Sequence, residues 1–177
     1  SLFAGVSSLA SPAGIGFVID APATQPVRPG VPSLVLDRVQ DAGNVGSILR
    51  SAAALGFAQV LALEGSAALW SPKVLRAGMG AHFALEMSEG LAASDLDGLA
   101  LPLLAGSSHA NSALDDAVLP FPCAWVFGHE GQGVAPALLA RCTQTLRIPQ
   151  PGGEESLNVA AAAAICLYAT RRSGGWR

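Results

Sequence analysis

Three polar, glycine-bearing segments hold most of the residues able to do chemistry: Asp37 to Arg50 (DRVQDAGNVGSILR), Gly128 to Gly133 (GHEGQG) and Pro149 to Asn158 (PQPGGEESLN). Each follows a run that reads as a β-strand, and in an open α/β sheet ligands bind beyond the carboxyl ends of the strands, where such loops gather. GHEGQG offers backbone unobstructed by side chains beside one carboxylate, Glu130, which suits close approach of a flat ligand. A tight turn with no ligand fits the same residues equally well. A nicotinamide-dinucleotide loop is a further reading, with Glu154 and Glu155 at roughly the separation of a ribose-binding acid. Against it, the glycines stand in the reverse of the GxGxxG order, and the loop falls late in the chain rather than in the first strand-to-helix unit. His82, His109 and His129 show no metal-like arrangement. Cys123, Cys142 and Cys166 are scattered without paired spacing, so a reducing cytoplasm fits best.

Elements of an α/β domain must hold these loops. Short β-like runs at Ser33 to Leu36, Gln59 to Leu63, Leu101 to Ala105, Ala124 to Phe127 and Thr145 to Ile148 alternate with helical patterns, the sign of a largely parallel sheet. In the first helix Asn44 is a suitable N-cap, and Val45, Ile48, Leu49 and Ala52 fall on one face, so Ser47, Arg50 and Ser51 point elsewhere. A second helix starts at the cap Ser71 with Pro72 in its first turn and runs to Gly78. Ala135 to Arg141 and Leu157 to Arg171 complete the helices. Residues 1–32 are rich in Pro, Gly, Ser and Ala and read as a lead-in, with one possible outer strand at Ile15 to Ile19.

A chain of 177 residues is one ordinary domain. Only 13% of its residues are charged, against about 25% in a typical soluble domain, so part of its apolar surface is expected to face a partner subunit. The apolar run Val159 to Ala169 is shorter than the ~18 residues of a membrane span and reads as a buried helix. The N-terminus lacks the pattern of a targeting segment. A net charge of -3 weighs against nonspecific coating of nucleic acid while leaving room for a local basic patch. Nine of the ten basic residues are arginine, Lys73 being the exception, and arginine suits bidentate contacts to phosphate.

The three segments together are more specific than any one. The chain resembles the SpoU (TrmH-type) RNA ribose methyltransferases of the SPOUT class. Their three motifs are similar, in order, to LVLDRVQDAGNVGSILRSAAALGF, WVFGHEGQGV and RIPQPGGEESLNVAAAAAICLYATRR, and the intervening SPKVLRAGMGA also resembles the family. Coverage runs from about Ser33 to Arg172. The resemblance implies an S-adenosylmethionine-dependent enzyme that methylates ribose 2′-hydroxyls of structured rRNA or tRNA, with no metal. It further implies a homodimer and a catalytic domain spanning residues 33–177. The implied fold is a mostly parallel α/β sheet flanked by helices, with a C-terminal trefoil knot; periodicity alone gives an ordinary doubly wound sheet.

By the same resemblance the cofactor lies among Ala105, Gly106 and Ser107, then Gly128, Glu130 and Gly131, and finally Ile148 and Leu157. Main-chain groups there read the adenine between apolar walls. The implied catalytic set is Arg50, with Asn44 as companion, Glu130 to hold Arg50 or a substrate hydroxyl, and Ser156 and Asn158 at the mouth of the last helix. Arginine practically never loses its proton, so Arg50 is expected to align the hydroxyl and stabilise charge rather than act as a base. Two departures stand out: Ala42 replaces a common proline, and Ala160 replaces a serine that often follows Asn-Val. Many relatives carry a separate RNA-binding domain upstream, where only a lead-in of about 30 residues precedes the first motif here, too short for a domain. The competing expectations are a non-catalytic S-adenosylmethionine- or RNA-binding module and, less favoured, a dinucleotide enzyme.

Overall fold

The computed structural model describes residues 22–152 and 156–174, together with Gly5, Phe17, Val18 and Asp20. Seven strands form one sheet: β1 (Ser33–Asp37), β2 (Gln59–Leu63), β3 (Glu86–Leu91), β4 (Leu103–Gly106), β5 (Ser112–Ala113), β6 (Ala124–Gly128) and β7 (Gln144–Arg147). Their order is β3-β2-β1-β6-β4-β7-β5, and every pairing is parallel. The helices are α1 (Ala42–Ala54), α2 (Pro72–Gly78), the single turn α3 (Pro136–Leu139) and α4 (Val159–Gly174).

The inner strands β1, β2 and β6 are buried along their whole length, as expected where both faces of a parallel sheet are covered. Side chains alternate between faces. Leu34 and Leu36 therefore pack with Ile48 and Leu49 of α1, Trp125 and Phe127 of β6, and Leu167 of α4, whereas Val35 and Val126 join Leu99, Leu138 and Val134 on the other side. The buried Trp125 indole Nε1 donates to Thr170 Oγ1 at 2.9 Å, which pins α4 to the sheet and satisfies the ring's one donor.

Differences from the sequence expectation have local causes. Asp41, not Asn44, caps α1: its carboxylate accepts from Asn44 N–H at 2.8 Å, so the helix begins three residues early and Asn44 sits in its first turn. Ala42 becomes the first helical residue, a position where proline and alanine are both tolerated. β4 starts at Leu103 because Pro102 has no N–H to enter the ladder. The strands β3 and β5 were not expected: EMSEGL is polar and SA is two residues long, and both are sheet edges. The second helix keeps its Ser71 cap and first-turn Pro72. Phe17 and Val18 form no strand, and the rest of Ile15 to Ile19 lies outside the described residues. The expected knot depends on the path of residues 149–158, of which 153–155, including Glu154 and Glu155, also lie outside them.

Candidate functional site

The strands β1, β6, β4 and β7 are neighbours, so their carboxyl ends deliver Asp37, Gly128, Gly106 and Arg147 to one edge of the sheet. The loops that follow enclose a cavity of about 590 Å³, within the range of a nucleoside-sized ligand. Phe127, Leu146, Ile148 and Leu157 give it apolar walls, and Gly106, Ser107, Gly128, Glu130, Gly131 and Ser156 also line it. Ala105 does not: it is buried within β4, one residue short of the opening.

The 128–133 loop is both a tight turn and a wall. Gly133 N–H donates to His129 O at 2.8 Å, and His129 Nδ1 accepts from the N–H groups of Gly131 (3.0 Å) and Gln132 (3.3 Å). A Cβ on Gly128 would stand 2.2 Å from Gly133 C and Val134 N, so only glycine lets the loop return this closely over its own start.

Outside the turn, one hydrogen-bond chain joins all three polar segments. Asn158 Oδ1 accepts from the N–H groups of Ala160 (2.9 Å) and Ala161 (3.3 Å) at the mouth of α4. Those donors fix the amide, so Asn158 Nδ2 faces outward and donates to Asn44 Oδ1 at 2.8 Å. Asn44 Nδ2 must then point onward, and it donates to Glu130 Oε1 at 3.0 Å. The Glu130 carboxylate also accepts from the N–H groups of Asp41 (3.2 Å) and Gln40 (3.4 Å). Capping of α4 thus falls to Asn158, with Ser156 left exposed at the cavity.

Desolvation pushes the Glu130 carboxyl up, but the Asn44 amide and the backbone N–H groups of Glu130, Asp41 and Gln40 outweigh it, leaving the pKa below its ordinary value. A depressed carboxyl supports the fold above the unfolded pKa and loses that support as pH falls through the folded one. The chain of bonds is therefore expected to survive through the ordinary carboxylate range and open only below it. Carbon-13 NMR titration of Glu130 should show the low midpoint moving upward in Asn44→Ala; an unmoved midpoint would refute the coupling.

Arg50 stands apart. It is exposed on α1, six residues or about 9 Å of helix rise beyond Asn44, and does not line the cavity. The expected Glu130–Arg50 contact is absent among the described residues, because both Glu130 oxygens are taken by Asn44 and the backbone of Gln40 and Asp41. Sequence reasoning passed over Asp37, Arg38 and His129, which shape the loop; an Asp-Arg pair at a strand end and one histidine in a turn carry no distinctive signal. Cys166 reaches the cavity, but burial pushes its thiol up to about 12, which makes it inert. No group of His, Cys, Asp or Glu among the described residues is arranged to hold a metal ion.

An open parallel α/β sheet with a cavity across the carboxyl ends of its inner strands defines an α/β domain whose candidate ligand site lies at that edge of the sheet. The chain belongs to the SpoU rRNA Methylase family, whose model matches residues 32–168. It is 36% identical over 141 residues to the 23S rRNA (guanosine(2553)-2′-O)-methyltransferase RlmP of Bacillus subtilis, covering 78% of this chain and 57% of that protein. A putative RNA methyltransferase of the TrmH family from Porphyromonas gingivalis superposes with a TM-score of 0.85 at 37% identity, over 96% of this chain and 70% of the other. The SpoU methyltransferase AviRb from Streptomyces viridochromogenes, in complex with the cofactor AdoMet, gives a TM-score of 0.79 at 29% identity, over 86% and 66%. The chain spans 52%, 57% and 60% of the lengths of three curated relatives.

Proposed function

We propose that this chain is the catalytic domain of an S-adenosylmethionine-dependent methyltransferase acting on ribose 2′-hydroxyls of structured rRNA or tRNA, with residues 33–177 as the domain and 1–32 as a lead-in. The observation that carries this reading is the Asn158–Asn44–Glu130 chain, which ties three family motifs together and meets the cavity at Glu130, Asn44 and Asn158 themselves standing outside its lining. The cavity fits the cofactor chemically: its size suits an adenosine, its walls at Ile148 and Leu157 are apolar, and glycines at 106, 128 and 131 bare the backbone for reading a base. When bound, the cofactor supplies an electrophilic methyl group.

The chain's own residues would do the rest. Glu130, held ionised, is a weak base and serves to orient Asn44 at the substrate side. Ser156 offers a hydroxyl at the cavity edge. The Arg50 guanidinium, with no hydrogen bond or ion pair to other described residues, is free to grip a phosphate of the RNA and align the attacking hydroxyl. The hydroxyl proton passes to water. A homodimer belongs to the same proposal, supported by exposed Leu75, Met79 and Phe83 near α2 and by Ile165 and Tyr168 on α4. So do a reducing cytoplasm, supported by three free cysteines, and a C-terminal knot, supported by family membership and by the insertion of β6 between β1 and β4.

Calorimetry should register S-adenosylmethionine binding and weaker or no binding of NAD. Incubation with labelled cofactor and rRNA or tRNA should place label in nucleotides whose 3′ phosphodiester resists alkali, since a methylated 2′-oxygen cannot attack it. Binding without turnover, in this chain and in any longer form, would instead support a non-catalytic module.

A further inference from the structure

Two residues at the end of β1, neither of which lines the cavity, hold the loop that does. Arg38 has φ 59°, a left-handed backbone that side-chain-bearing residues rarely adopt. Its guanidinium forms a fork on Asp37, Nε to Oδ1 at 3.0 Å and Nη2 to Oδ2 at 3.2 Å. From there it reaches across to the loop, Nη1 donating to Gln132 Oε1 at 3.0 Å and Nη2 to Gly133 O at 3.3 Å. Asp37 is 4% exposed, and its Oδ2 also accepts from Ala135 N–H at 2.6 Å. Glycine at 65 makes room for the arginine stem, since a Cβ there would lie 3.1 Å from Arg38 Cγ. The neighbouring strands are already in register at Asp37 and Gly128, so the clasp closes the far side of a loop whose near side is fixed by the sheet.

We propose that Arg38, seated on Asp37, is the positioning residue of the cofactor loop, setting Gln132 and Gly133 in the shape that receives the adenosine part of S-adenosylmethionine. The inference rests on the cofactor reading above. A planar fork is needed, because one guanidinium serves a carboxylate, an amide and a carbonyl at once; the point charge of lysine cannot. Arg38→Gly removes the clasp and leaves the buried Asp37 carboxylate without its charge partner, a cost that relief of the left-handed backbone offsets only in part, so the role is read from where the effect falls rather than from global stability.

The test pairs two readouts on the full chain. In Arg38→Gly, amide hydrogen exchange at Gly133 and Ala135 should accelerate while exchange in the paired strands β1 and β6 stays close to that of the parent. Calorimetry should show S-adenosylmethionine affinity lowered about tenfold, the scale of losing hydrogen bonds to a charged group. Arg38→Lys should recover only part of it, and Gln132→Ala should give a smaller loss. Unchanged exchange in the loop, or unchanged affinity in a parent that binds the cofactor, would overturn the positioning role. A parent that does not bind S-adenosylmethionine would instead defeat the cofactor reading, with the exchange rates still deciding whether Arg38 holds the loop.

Discussion

Arg50→Ala is expected to lower kcat for ribose methylation by about 10²-fold, the scale of losing the alignment of a reacting group. Affinity for S-adenosylmethionine should be unchanged. Arg50 lies on the exposed side of α1 and touches no part of the cavity, so its loss cannot alter how the cofactor is held. Nor should it unfold the domain, since the core face of α1 is carried by Val45, Ile48, Leu49 and Ala52. What it removes is a bidentate donor on the exposed side of α1, about 9 Å of helix rise beyond Asn44, where it can meet the RNA rather than the cofactor. Arg50→Lys should fall between parent and alanine, keeping the charge but not the fork. Single-turnover rates with bound RNA, measured beside cofactor titrations, separate the two effects. Full activity of Arg50→Ala on the authentic RNA would remove Arg50 from the mechanism.

The sheet was legible where strands are buried on both faces and read as apolar runs, as in Leu34 to Leu36 and Val60 to Leu63. It was illegible at the edges, where Glu86–Leu91 has one ladder neighbour and its composition answers to solvent. The site divides in a similar way. Asn44, Glu130 and Asn158 stood out because each matches one of the three motifs that carry the family resemblance, and the structure brings them into one bonded chain. That Asn158 caps α4 and Asp41 caps α1 was hidden, because Asp, Asn and Ser are all good caps and sequence alone does not choose among neighbours. Arg38 was hidden for a different reason: a left-handed φ at a non-glycine residue leaves no mark in sequence, and its partners are 94 and 95 residues away.

Gly128→Ala is the sharpest test of whether the 128–133 loop is a cofactor wall rather than a turn alone. The added Cβ would meet the backbone of Gly133 and Val134 at 2.2 to 2.3 Å, and backbone, unlike a flexible side chain, cannot swing aside. Either the loop lifts or β6 shifts. β6 is buried and paired on both sides, with β1 and β4, while the loop faces the cavity, so the loop should yield at a cost of about 1–3 kcal/mol. Lifting it breaks the Gly133 to His129 bond and draws Glu130 away from Asn44. If adenosine binding requires the loop restored, at least that energy is lost from affinity, about 5- to 150-fold in Kd. Calorimetry with S-adenosylmethionine measures this, and circular dichroism checks that the sheet persists. A folded Gly128→Ala chain with parental affinity would mean that the loop closes on itself for shape alone and that the cofactor lies elsewhere.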